Sequence, residues 1–168
     1  MGFSDLLKKM FGSKADRDLK EIKPILNKTL AAYEKIDKMS DDDLRAEAQR
    51  IKKVIADRIA ADEAKKKGLR EQLEDLTLSP DEKERIATEV DKLTKKIDEQ
   101  IEAVLMEVLP EAFAVMRSTA RRFKENAEIK VLASEADREL STKADFVTID
   151  GDYAIWKNTW LAGGNPIT

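Results

Sequence analysis

Apolar positions along this chain fall mostly at helical spacing. Residues 3–11 place Phe3, Leu6, Leu7, Met10 and Phe11 at i, i+3, i+4, i+7 and i+8, the stripe of an amphipathic helix, with Lys8 and Lys9 off it. Gly12 ends that turn. Ser13 with Asp16 then signals the start of a second helix reaching about Lys38, with Leu19, Ile22, Ile25, Leu26, Leu30, Tyr33 and Ile36 on one face. Pro24 lies inside it, so a kink or break is expected there.

Ser40 with Asp43 repeats the capping signal, and Asp41 and Asp42 suit the helix dipole. The next helix carries Leu44, Ala48, Ile51, Val54, Ile55 and Ile59 and is expected to continue through Leu69, Leu73 and Leu76, with a weak point at Gly68. Ser79 and Pro80 open another helix, with acids in its first turn. Ile86, Val90, Leu93, Ile97, Ile101, Val104 and Val108 are spaced 4, 3, 4, 4, 3 and 4, a near-heptad seam. Two such helices joined by a short Ser-Pro turn predict an antiparallel hairpin over about 41–108. A coiled coil made with a partner is the competing reading of the seam. Pro110 is expected to end or bend the second arm, and EAFAVMRSTARRF to form a further amphipathic helix.

The character changes after Phe123. Residues 128–133 read as a strand, and Ser134 caps a short helix. Phe146–Ile149 and Tyr153–Trp156 flank Gly151 as a hairpin, and the tail LAGGNPIT reads as loop. The expected fold is therefore mainly α, with extended helices, an antiparallel helical hairpin and a small α+β element near the C-terminus. Its divisions are an amphipathic helix at 1–12, a helical region at 13–123 and an αβ part at 124–168.

Composition sharpens this. Charged residues make up 39% of the 168 and aromatics 5%, a balance common in long helices. The net charge is −3 with acids and bases interleaved, which gives no reason to expect a nucleic-acid partner. Cysteine and histidine are both absent, which removes disulfides, thiolate metal sites and the usual general base. No apolar run approaches the roughly 20 residues that span a bilayer, and the opening stripe is not built as a secretory signal. A cytoplasmic location is expected.

Catalytic chemistry is sparse. Gly163-Gly164 has no lysine–serine or lysine–threonine partner, so no phosphate-cradling loop is present in the sequence. Asp41-Asp42-Asp43 reads as helix capping and solvation, and Asp150-Gly151-Asp152 as a turn rather than a calcium loop. The opening stripe is the feature that invites a function. A nine-residue helix is marginal alone in water. It needs either this protein's own core or a lipid surface, where lysines add attraction to anionic headgroups.

Three stretches resemble the SecA family, the ATP-driven motors of bacterial preprotein export. They are LLKKMFGSKADRDLK near the start, MSDDDLRAEA, and VLPEAFAVMRSTARR at 108–122. The last is similar to the helix leading into the family's first nucleotide-binding domain. The helical hairpin and the stretch 123–168, including DFVTIDGDYAIWKNTWLAGGN, resemble insertions carried by one branch of the family. The resemblance implies that the opening helix contacts acidic phospholipids and the SecYEG translocation channel. That membrane-binding role falls on Phe3, Leu6, Leu7, Lys8, Lys9, Met10, Phe11 and Lys14. It further implies a peripheral location at the inner face of the cell membrane and preproteins as cargo of the whole motor. ATP and Mg would serve the full-length parent, with no cofactor, metal or catalytic residue expected in this chain and no ATP hydrolysis by the chain alone. The rival reading is a free-standing helical adaptor or coiled-coil interaction module.

Overall fold

The computed structural model describes residues 14–163 and 165–167. The proposed membrane-binding residues Phe3, Leu6, Leu7, Lys8, Lys9, Met10 and Phe11 lie outside them; Lys14 is the first residue of helix α1 (Lys14–Ile36). Among the described residues, those up to Glu47 and from Pro110 onward form one compact unit, and Ala48–Leu109 form another.

Helix α1 runs through Pro24 without the expected break. Proline forfeits the bond from its own position to the Lys20 carbonyl, but Pro24 is exposed, so water can take the freed acceptor. The helix ends at Ile36, and Asp37, Lys38 and Met39 form a turn closed by bonds to the carbonyls of Tyr33, Lys35 and Ile36. Helix α2 (Asp41–Leu73) starts where the capping signal lies: the Asp43 N–H donates to the Ser40 hydroxyl at 3.1 Å, and that hydroxyl donates to the Asp43 carboxylate at 2.7 Å. Gly68 does not interrupt it. The helix stops at Leu73, short of the expected Leu76, which sits 91% exposed in the turn beyond it.

Helix α3 (Pro80–Glu125) is the longest element, 46 residues. Ser79 and Glu82 cap it reciprocally: the Ser79 N–H donates to the Glu82 carboxylate at 2.9 Å and the Glu82 N–H to the Ser79 hydroxyl at 3.3 Å. Pro110 neither ends the helix nor separates off a second one, contrary to the sequence reading. An interior proline costs about 3 kcal/mol. Against that, Val104 and Val108 before it are buried, as are Ala114 and Val115 after it, and each buried valine contributes about 1.5–3 kcal/mol.

In the unit Ala48–Leu109 the two helices form the antiparallel hairpin. Arg58 pairs with Glu107 at 2.7 Å, Asp62 with Lys96 at 2.8 Å and Lys65 with Glu89 at 2.6 Å, so partners on α3 fall in number as those on α2 rise. Of the heptad-like seam, Val90, Leu93, Ile97, Val104 and Val108 are buried, as is Ile51 on α2. The Gln100 Nε2 donates to Asp62 at 3.0 Å, adding a polar rung between the arms.

The other unit combines α1, the start of α2, the end of α3 and a small αβ part. Strand β1 (Glu128–Leu132) leads to helix α4 (Glu135–Ser141), and strands β2 (Val147–Asp150) and β3 (Tyr153–Lys157) come next. The sheet is antiparallel in the order β1-β3-β2, with Val131 opposite Ala154 and Ile149 opposite the same residue on the other side. Val131, Val147 and Ala154 are its buried residues, and Phe146 lies 6.1 Å from Trp156 between ring centroids. Gly151 takes φ +58° in the β2–β3 turn, a conformation that favours glycine. The tail is not loop. Strand β4 (Trp160–Ala162) pairs antiparallel with β5 (Asn165–Ile167), and Gly163, also at φ +58°, begins their turn.

No described helix is long and apolar enough to cross a membrane. The fold is mainly α, with the helical hairpin and the small αβ element near the C-terminus.

Candidate functional site

Of the residues to which the sequence assigns membrane contact, the structure describes Lys14 alone, exposed at the start of α1. Among the described residues, burial on helix α1 rises toward its C-terminal end. Leu19, Ile22, Leu26 and Leu30 are 62%, 56%, 51% and 40% exposed, whereas Ile36, later on the same helix, is 3% exposed.

The buried end carries a set of fastenings around residues 37–45. Asp37 accepts bonds from the buried Ser118 hydroxyl at 2.8 Å and from Arg121 Nε and Nη2 at 3.1 and 2.9 Å. Burial alone would push the Asp37 carboxyl upward; the bonds from Ser118 and Arg121 outweigh it and hold the group below its ordinary value. Arg121 rises in turn through its bond to Asp37 and also pairs with Glu125. The neighbouring Arg122 is buried, donating to the Asp41 carboxylate at 2.5 Å and to the Met39 carbonyl at 2.6 Å. Arg117 lies over the Tyr33 ring, 4.3 Å from its centroid.

The first turn of α2 fastens the αβ part. Asp42 accepts from the Leu132 N–H at 2.8 Å, and Arg45 Nη1 donates to the Leu132 carbonyl at 3.1 Å. Two side chains of a helix thus satisfy backbone groups at the edge of β1, where a neighbouring strand would otherwise add. Arg45 Nη2 also reaches both Asp137 oxygens, at 2.9 and 2.7 Å. Asp137 is at once the third residue of α4's capping box with Ser134. Burial pushes this carboxyl up, but bonds from the Ser134 hydroxyl and N–H, then from Arg45, bring it below the ordinary value.

Asp41 and Asp42, which the sequence presents as capping and solvated residues, thus hold residues 80 to 90 positions away. The sequence pattern does not group Ser118, Arg121, Arg122 and Asp137. Its one signal is a serine and an arginine pair in the amphipathic stretch EAFAVMRSTARRF, and nothing in the spacing says which carboxylates they meet. Asp37, Asp41, Asp42, Arg45, Arg121, Arg122 and Asp137 are each held by an opposite charge or a backbone group, and Arg117 by the Tyr33 ring, so the set fastens these elements to one another. Beside it, a shallow groove of about 300 Å³ is lined by Ala31, Ala32, Ile36 and Met39 with Lys35, Glu47 and Glu111.

The family described as the SecA DEAD-like domain matches residues 7–134. The chain belongs to the SecA family. Its SecA relatives include the protein translocase subunit SecA of Parabacteroides distasonis, 48% identical over 168 residues, covering 100% of this chain and 15% of the relative. Those of Porphyromonas gingivalis and Phocaeicola vulgatus are each 46% identical, covering 99% of this chain and 15% of the relative. The chain thus spans 15% of the length of these SecA proteins. No solved structure matches. The match takes in α1, the whole helical hairpin and α3, so the fastenings of Asp37 to Arg121 and of Asp41 to Arg122 join parts of one SecA region.

Proposed function

We propose that this chain is the opening part of a SecA-type motor for protein export, and that it supplies attachment and helical support. The opening stripe, Phe3, Leu6, Leu7, Met10 and Phe11 with Lys8, Lys9 and Lys14, lies on the anionic inner face of the cell membrane and meets the SecYEG channel. Partial insertion of the apolar groups, helped by about 1 kcal/mol per lysine near an anionic leaflet, gives reversible attachment. Support comes from α1 and α3. The observation that carries this reading is the clamp of Arg121 and Arg122 on residues 37–41: a pull on the opening stripe passes along α1 to a fixed point on α3.

ATP and Mg act in the remainder of the motor, and preproteins are its cargo. Alone, the chain does not hydrolyse ATP, and phosphate release above a blank from the purified chain would refute this. For attachment, vesicle co-sedimentation is the test. Replacing Phe3, Leu6 and Phe11 together by serine should weaken binding to anionic vesicles by at least about tenfold, and salt should weaken the wild-type binding because the lysine attraction is screened. Unchanged binding by the triple variant would sink the lipid reading.

A further inference from the structure

The tip of the helical hairpin displays an apolar side chain in an acidic setting. Leu76 is 91% exposed, more than any other large apolar residue described. Its turn is held in shape. The Asp75 carboxylate accepts from the Thr77 N–H at 2.8 Å and from the Thr77 hydroxyl at 2.7 Å, and the Asp75 N–H donates to the Gln72 carbonyl at 3.1 Å. Residues 74–84 carry Glu74, Asp75, Asp81, Glu82 and Glu84 against Lys83 alone. Further along the same hairpin the sign reverses. A groove of about 330 Å³ is lined by Lys65, Arg85, Lys92 and Lys96, with Glu89 its one acid and Leu93 its apolar member. Lys65 and Lys96 are paired with Glu89 and Asp62, whereas Arg85 and Lys92 form no salt bridge among the described residues.

We propose that the hairpin tip of one copy of this chain docks in this groove of a second copy, with Leu76 entering among the lysine stems and the acids of the tip facing Arg85 and Lys92. The two surfaces match in charge but cannot meet within one chain. The groove lies along α3 between roughly 8 and 24 Å from Pro80 at about 1.5 Å per residue. Regular helix on both sides of the turn keeps the tip from folding back onto it. Two hairpins laid side by side and antiparallel, overlapping by about 20 Å, bring each Leu76 to the other's groove. One contact is then made twice about a twofold axis. Charge selects this occupant. The acids of the tip are repelled by nucleic acid and by an anionic leaflet, and attracted by the unpaired cations of the groove. The stems of Lys65, Lys92 and Lys96 offer Leu76 apolar cover while their ammonium groups stay in water. A contact of this size is at the small end of specific interfaces, so the dimer is weak, reversible and salt-sensitive. It uses the hairpin alone and does not rest on membrane attachment.

Sedimentation velocity on the full chain is the test. At high-micromolar concentration and low salt the chain should form dimers, and added salt should dissociate them. Leu76→Ser changes a side chain too exposed to support the fold and should weaken dimerisation by at least about tenfold. Charge exchange then identifies the two surfaces. One variant carries Arg85→Glu with Lys92→Glu, and another carries Glu74→Lys with Glu84→Lys. All four positions are exposed, so the fold is kept. Each variant alone sets like charges against each other and should stay monomeric. Mixed, the two should form a dimer, because acidic tip meets basic groove and basic tip meets acidic groove. A wild-type chain that stays monomeric at low salt overturns the proposal. So does a dimer that Leu76→Ser and the groove variant leave intact, since the contact then lies elsewhere. A mixture of the two charge variants that remains monomeric overturns it as well.

Discussion

Arg45, in the first turns of α2, holds Asp137 of α4 through one guanidinium nitrogen at 2.9 and 2.7 Å from the two carboxylate oxygens. The two residues are 92 positions apart, and the Asp137 side chain is 2% exposed. The same aspartate caps α4, so a single carboxylate closes a local helix and fixes it to a distant one. Asp137→Ala removes both functions, leaving Arg45 only its bond to the Leu132 carbonyl and the Ser134 N–H without its acceptor. It should cost about 3 kcal/mol in urea unfolding. Arg45→Met leaves Asp137 its Ser134 bonds and should cost roughly 1–2 kcal/mol, since the guanidinium is partly solvated.

Acid should act through the same groups. Asp37 and Asp137 both titrate below their ordinary value in the folded protein. A depressed carboxyl stabilises fully above the unfolded value of about 3.9, and that contribution is lost as pH falls through the lower folded values. The urea midpoint should therefore hold from neutral pH to about 5 and drop below about 4. In the Asp37→Asn, Asp137→Asn double variant the drop should be shallower, from a lower plateau. An equally steep drop would show that other groups carry the acid sensitivity.

The hairpin seam offers a packing test. Ile97 is 2% exposed between the arms. Ile97→Ala should cost about 3 kcal/mol, from lost transfer energy and the cavity left behind. Far-ultraviolet circular dichroism on heating should show the loss as a lower midpoint. A change under about 0.5 kcal/mol would mean that the seam is not the core of that unit.

Two glycines should respond in opposite directions. Gly68 lies inside α2 with open space around an added Cβ, so Gly68→Ala should stabilise by about 0.5–1 kcal/mol. Gly151 has the same open space but φ +58°, so Gly151→Ala should destabilise by roughly 1 kcal/mol. Thermal midpoints of the two variants check the signs.

The local elements are legible in the order of residues alone. Capping at Ser40, Ser79 and Ser134, the 3–4 spacing from Ile86 to Val108 and the glycine turn between β2 and β3 each depend on neighbours within a few residues, and each is found where the pattern put it. Membership of the SecA family is equally legible, because it rests on contiguous stretches. Packing in three dimensions settled the rest. Pro24 and Pro110 stay inside helices because exposure at one and burial around the other offset a lost backbone bond, and neither is written in the local pattern. The tail pairs as β4–β5 because backbone groups there find each other across Gly163, in a stretch with too few alternating residues to signal a strand. Asp37, Asp41, Asp42 and Asp137 became fastenings because folding brought Arg121, Arg122, the Leu132 backbone and Arg45 within bonding distance of them. An acid's partner is set by distance in space, and a sequence with 34 acids and 31 bases contains far too many pairings to choose among.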